Sequence, residues 1–240
     1  TTGTAGTSDY TETTTTVTIP AGSTSVDVTI PTTDDGLDEL DETFTVDGTV
    51  TSGNTSNTDP SGTVTIEDND VPTVTIGDVT VTEGNDAVVP VSIDIASPVD
   101  TVVDIVTTTG TAGTSDYTET TTTVTIPAGS TSVDVNIPIT DDIIDEMDET
   151  FTVDGTVTSS NTANTDPSGT VTIIDNDGAP TVTIGDVTVN EGAGTATVPV
   201  SIDNPSATDV VVDIVTTTGT AGTSDYTETT TTVTIPAGST

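Results

Sequence analysis

Carboxylates are the only charged side chains this sequence can bring to a site. Its 240 residues include 40 Asp and Glu and no Lys, Arg or His, giving a formal charge of −40. Cys and Trp are also absent. That inventory removes a Ser-His-Asp triad, a Cys nucleophile, a Schiff-base Lys, and zinc held by His or Cys. It argues against nucleic-acid partners, because neutralising phosphate takes cations, and it leaves the fold no disulfides. Two chemistries remain for clustered acids: general acid–base work by a carboxylate pair, or capture of a hard cation. A glycosidase pair would need a sugar cleft lined by aromatic rings. Aromatic residues are 2% of this chain, so no enzyme is expected.

The acids recur with the repeat that carries them. The segment TTGTAGTSDYTETTTTVTIPAGST stands unchanged at 1–24, 108–131 and 217–240. Residues 1–70 match 108–177 at 62 of 70 positions. The opening TVTIGDVTV occurs at Thr73 and again at Thr181. A period near 107 residues is domain-sized rather than solenoid-sized. The expected organisation is the C-terminal part of a repeat over 1–70, a complete repeat over 73–177, and the N-terminal part of the next over 181–240. Val71-Pro72 and Gly178-Ala179-Pro180 are the linkers.

Within 73–177 the apolar period is two, the mark of half-buried strands. Val89, Val91 and Ile93 alternate with Pro90, Ser92 and Asp94; Val133, Val135 and Ile137 repeat the pattern. Thr fills most outward positions, where a β-branched polar residue suits a pleated surface. The inward phase slips across Gly77-Asp78, as a bulge or a crossing between sheets would require. About seven strands, starting near 73, 87, 101, 122, 132, 149 and 169, predict an immunoglobulin-like antiparallel sandwich. Tandem copies on such short linkers would stack as a rod. The longest apolar runs are three or four residues, so no membrane insertion is expected within these residues.

Successive strands reverse direction, so alternate loops share an end. One end collects Glu83, Asp86, Asp116, Glu119, Asp141, Asp142, Asp145, Glu146, Asp148, Glu149, Asp175 and Asp177; the other collects only Asp100 and Asp166. Two carboxylates about 6 Å apart repel by roughly 0.7–3 kcal/mol, depending on the local dielectric. With no base in the chain, relief comes from protons or bound cations. Hard oxygen ligands alone favour Ca²⁺ over transition metals. Acids spread along strands, such as Asp94, Asp104, Asp134 and Asp154, read as a solvated surface instead.

The ordered motifs VTEG, GTAGTSDY, VTIPAG, DDIIDEMDE and TVTIIDND resemble the Calx-beta domain. That family is known from the calcium-sensing loop of sodium–calcium exchangers and from tandem arrays in bacterial surface proteins. The resemblance implies calcium ligands at Glu83, Asp116, Asp141, Asp142, Glu146, Glu149, Asp175 and Asp177, with the backbone carbonyl of Ile144. In the first copy it implies Asp9, Asp34, Asp35, Glu39, Glu42, Asp68 and Asp70; in the third, Glu191 and Asp225. Two to four Ca²⁺ per repeat are expected. Asn69 and Asn176 stand mid-motif where family members can carry Asp, a departure that bears on ion number. Tyr10, Tyr117 and Tyr226 are expected to pack beside the acidic end.

The expected function is a calcium-binding structural repeat of an extracellular or cell-surface rod, stalk, adhesin or fibre, with ions near each inter-repeat junction. Its partners are then neighbouring repeats of the same chain, or further copies through self-association into a filament. A calcium-sensing regulatory module is a third reading.

Overall fold

The computed structural model describes residues 3–240. Most of the alternating Val/Ile/Thr segments are strands, and the most complete sandwich spans residues 74–174. In chain order the first copy contributes β1 (Glu42–Asp47) and β2 (Ser61–Ile66). The sandwich follows with β3 (Val74–Ile76), β4 (Val79–Thr82), β5 (Ala87–Ile93), β6 (Thr101–Thr109), β7 (Thr121–Ile126), β8 (Ser132–Ile137), β9 (Glu149–Val157) and β10 (Ser168–Ile174). The last copy adds β11 (Val182–Ile184), a 3₁₀ turn (Glu191–Ala193), β12 (Val200–Ile202), β13 (Val210–Val215) and β14 (Thr230–Ile235). Among the described residues, no helix is long and apolar enough to cross a membrane.

One sheet of the sandwich has the order β3-β5-β8, and the facing sheet β4-β10-β9-β6-β7. Their inward residues alternate as the sequence pattern requires. Val89, Val91, Val103, Ile105, Ile126, Ile137, Val153 and Val171 are buried in one continuous core. The expected first strand is in fact two, because it changes sheets. β3 pairs antiparallel with β5, whereas β4 pairs parallel with β10. The phase slip at Gly77-Asp78 is that crossing, so eight strands stand where seven were expected. Close backbone approach demands glycine there: a Cβ on Gly169 would lie 2.8 Å from the Ile76 carbonyl oxygen and 2.9 Å from that of Gly77.

The crossing has a functional consequence. By running alongside β10, β4 brings the following loop to the end where β10 leaves the sheet. The Glu83 N–H donates to the Ile174 carbonyl at 3.1 Å. The same end receives the β6–β7 and β8–β9 loops, tied to each other by a Tyr117–Ile139 bridge. Four chain segments meet there, and all four are acidic.

Candidate metal centre

Two carboxylate triads occupy this end. Glu83, Asp175 and Asp177 each place an oxygen within 4.8 Å of the others, and so do Asp116, Glu146 and Glu149. A shallow cleft joins the triads, lined by Glu83, Asp116, Asp142, Glu146, Glu149 and Asp175. Asp142 thus faces the cleft without belonging to either triad. Its carboxylate accepts the Ile144 N–H at 2.7 Å, which bends the β8–β9 loop there. Asp141 borders the first triad, accepting the Asn176 side-chain amide at 3.3 Å. It packs on Gly84, whose φ of +76° and lack of a Cβ let the loop after β4 come close.

Local sequence pre-forms several of these positions. In the GTSD turn the Asp accepts the Gly N–H: Gly113 to Asp116 at 2.6 Å, Gly6 to Asp9 at 2.5 Å and Gly222 to Asp225 at 2.9 Å. The turn therefore forms in all three copies, whatever surrounds it. Beneath it, Tyr117 stacks on Phe151 with ring centroids 3.9 Å apart, and Tyr10 on Phe44 at 4.0 Å. Tyr10 and Tyr117 thus pack beneath the acidic turn as expected, whereas Tyr226 stacks on no ring among the described residues. Glu149 opens β9 opposite Ile173 of β10, so the strand ladder itself sets Glu149 near Asp175.

Crowding like charges away from water raises the proton affinity of several acids. Glu149 is pushed up to about 7, first by burial, then by its hydrogen bond with Asp116 and the charges of Asp116 and Glu146. Glu146 is raised by burial and by Asp116, Asp142, Asp175 and Glu83. Burial raises Glu83 against the opposing Asn176 N–H bond, with the Asp175 charge adding to the rise. Burial and the charges of Asp175, Asp142 and Asp141 raise Asp177. One oxygen of Asp177, Oδ2, is buried with no hydrogen-bond partner. An orphaned carboxylate oxygen, two oxygen-only triads and no base in the chain fit a hard divalent cation.

The other copies carry parts of the same arrangement. Asp9, Glu39 and Glu42 form a triad of their own. Asp34, Asp35, Asp68 and Asp70 line the cleft around it. No counterpart of Glu83 precedes them within these residues. Glu191, on the 3₁₀ turn, and Asp225 are exposed, and among the described residues no triad forms around either. One functional residue escaped the sequence reading. Asn176, which in the sequence shows only a departure from an acidic pattern, is a cross-brace: its N–H donates to Glu83 Oε1 at 2.9 Å and its amide reaches Asp141. The signal was present, a lone amide between two acids, but its partners lie 93 and 35 residues away.

The Calx-beta domain model matches the chain three times, over 1–78, 67–186 and 175–240. The chain belongs to the Calx-beta domain family. It is a tandem array of that calcium-binding family. Among solved structures, the apo form of the Calx CBD1 domain is 19% identical, aligns over 45% of this chain and 100% of its own, and gives a TM-score of 0.40. CBD12 from CALX1.2 is 19% identical over 69% of this chain and 70% of its own, with a TM-score of 0.39. The Calx CBD2 domain is 10% identical over 42% and 85%, with a TM-score of 0.33. A search of curated protein sequences found no match.

Proposed function

We propose that this chain is a stretch of an extracellular, calcium-stiffened rod, in which each Calx-beta repeat holds Ca²⁺ at the pole facing its successor. The observation that carries this reading is the position of the first triad. Asp175 and Asp177 lie on the chain exit, and the next repeat's first strand begins at Val182. Glu83, Asp175 and Asp177 would hold one ion, and Asp116, Glu146 and Glu149 another, with Asp141, Asp142 and the Ile144 carbonyl completing the shells. Two ions is the lower bound of the range expected from sequence.

Bound calcium supplies the positive charge that the chain itself lacks. The residues do the rest. Glu83 ties the loop after β4 to the exit of β10, and Glu146 and Glu149 tie the β8–β9 loop to the GTSD turn through Asp116. Locking those loops fixes the end of the repeat from which the linker departs. The role is structural rather than catalytic. A medium holding millimolar Ca²⁺, as outside cells, would fill even weak sites of this kind, and near-identical copies serve length better than varied recognition.

Small-angle scattering on the chain, with calcium and with chelator, tests the proposal. An elongated particle that becomes stiffer in calcium is expected. A compact particle in calcium would refute the rod, and an elongated one indifferent to calcium would remove the ion from the joint. Mass growing with concentration in calcium would favour the self-assembling filament.

A further inference from the structure

Besides lending carboxylates to the cleft, the acidic β8–β9 loop touches the next repeat. Asp145 forms a parallel bridge with Ser206, in the loop between β12 and β13. The Asp145 N–H donates to the Pro205 carbonyl at 3.1 Å, and the Ala207 N–H donates to the Asp145 carbonyl at 2.9 Å. The buried Ser206 hydroxyl lies 3.3 Å from Asp145 Oδ2. Beside this contact the Asn204 amide donates to the linker carbonyl of Gly178 at 2.8 Å.

The receiving loop has a counterpart in the sandwich itself, between β5 and β6. Both are held from beneath in the same way: Gly129 N–H donates to the Ser97 carbonyl at 2.8 Å, and Gly238 N–H to the Ser206 carbonyl at 2.8 Å. The residue types differ where it matters. Asp-Asn-Pro-Ser-Ala-Thr-Asp over 203–209 stands against Asp-Ile-Ala-Ser-Pro-Val-Asp over 94–100. Pro98 occupies the place of Ala207 and has no N–H to give. Ile95 replaces Asn204, and the linker upstream of the sandwich is one residue shorter. The counterpart of Asp145 in the first copy is Asp38. Among the described residues no hydrogen bond joins Asp38 to the loop at 95–98, and its Oδ2 is buried without a partner.

We propose that the array contains two kinds of joint, latched and unlatched, and that the N–H following the buried serine, present in Ala207 and missing in Pro98, selects between them. A docking Asp carbonyl that meets proline would be stripped of water with no donor in return, which costs more than the contact gains. The Ser-Ala loop accepts the upstream repeat and the Ser-Pro loop refuses it. Whether a joint is latched is then written repeat by repeat in one loop, in addition to the stiffening proposed for bound calcium.

Amide hydrogen exchange on the 240-residue chain, at one fixed calcium level, reads this directly. In the unaltered protein the amides of Asp145 and Ala207 should exchange roughly tenfold or more slowly than that of Asp38, as two interfacial hydrogen bonds imply. Ala207→Pro should bring Asp145 to the rate of Asp38 while the β6 and β13 amides stay protected. Ala207→Gly keeps the N–H and should keep the protection. Equal rates at Asp145 and Asp38 in the unaltered chain overturn the proposal without recourse to any variant. Protection at Asp145 that survives Ala207→Pro, or is lost in Ala207→Gly, overturns it as well.

Discussion

Six residues, Thr-Thr-Thr-Val-Thr-Ile, occur at 14–19, 121–126 and 230–235, and they do not fold alike. At 121–126 they are β7, paired to β6, and Ile126 is 0% exposed. At 230–235 they are β14, paired to β13, and Ile235 is 6% exposed. At 14–19 they form no strand, and Ile19 is 55% exposed. The first two have the Val-Asp-Ile-Val strand before them in sequence; the third has no such partner within these residues. Alternation and β-branching therefore state a readiness to pair, and the partner strand turns it into structure. By contrast, the GTSD turn and the Tyr–Phe stack persist in the first copy, because their contacts need less of the repeat.

The comparison breaks most visibly in the core. Ile126→Ala should destabilise the sandwich by about 2–5 kcal/mol, the usual cost of truncating a buried aliphatic side chain. Ile19→Ala, the same change in the same hexapeptide, should stay within about 0.5 kcal/mol. Chemical denaturation followed by circular dichroism separates the two. Similar losses would mean that residues 14–19 are packed as tightly as their copy.

Calcium should act next in size. An ion that binds only the native state adds about 2.7 kcal/mol per site at a hundredfold excess over Kd, and Mg²⁺, which demands a tighter octahedron, should substitute poorly. Within these residues the sandwich, with Glu83 beside its second triad, should gain more than the first copy, where the Asp9 triad is the one described. Calorimetric titration of Asp142→Asn should therefore show a larger loss of affinity than Asp35→Asn, and Asp134→Asn, out on β8, should show none. Coincident thermal melts in calcium and chelator would sink the metal reading altogether.

How much of this was legible beforehand follows the same division. Strand positions came from period-two alternation, and the acidic end came from counting strand reversals, which needs only topology. The split of the first strand showed as a phase slip across Gly77-Asp78, but its parallel pairing with β10 did not, because nothing local encodes which sheet receives it. Asp142 and Asp141 were readable as acids at the right end, yet their placement beside the triads rather than within them depends on the bend at Ile144. The roles of Asn176 and Asp145 were hidden for a plainer reason. Each acts through residues dozens of positions away, one in its own repeat and one in the next.

Acidity should move the ion-free and ion-loaded proteins in opposite directions. The Glu149 carboxyl has an ordinary value of 4.5 and is pushed up to about 7 in the fold. Between those values the folded state holds more protons than the unfolded one. Its contribution to ion-free stability is therefore full below about pH 4.5 and is lost as pH rises towards 7. Glu83 and Glu146 shift in the same direction. In chelator, a drop from pH 7.5 to 5 should stabilise the sandwich by on the order of 1–2 kcal/mol after solvent screening. In calcium the same drop should destabilise it, because protons compete for the ligands. Melts that move the same way in both buffers would show that these acids neither share protons nor hold the ion.

The smallest expected effect is the most discriminating, because it reverses sign between ion-free and ion-loaded protein and nearly vanishes in the first copy. Asn176→Asp removes the side-chain amide that reaches Asp141 and adds a negative charge beside Glu83, Asp175 and Asp177. The backbone N–H to Glu83 survives, so the ion-free loss should be only about 1 kcal/mol. With calcium the added carboxylate becomes a further hard ligand and the repulsion is answered, so affinity should rise. Asn69, the matching residue of the first copy, makes none of these hydrogen bonds among the described residues. Asn69→Asp should therefore leave ion-free stability almost unchanged. Paired melts and titrations of the two variants would show whether the amide is a brace that only the whole repeat assembles. Equal ion-free losses at 69 and 176 would mean that added charge alone sets the effect.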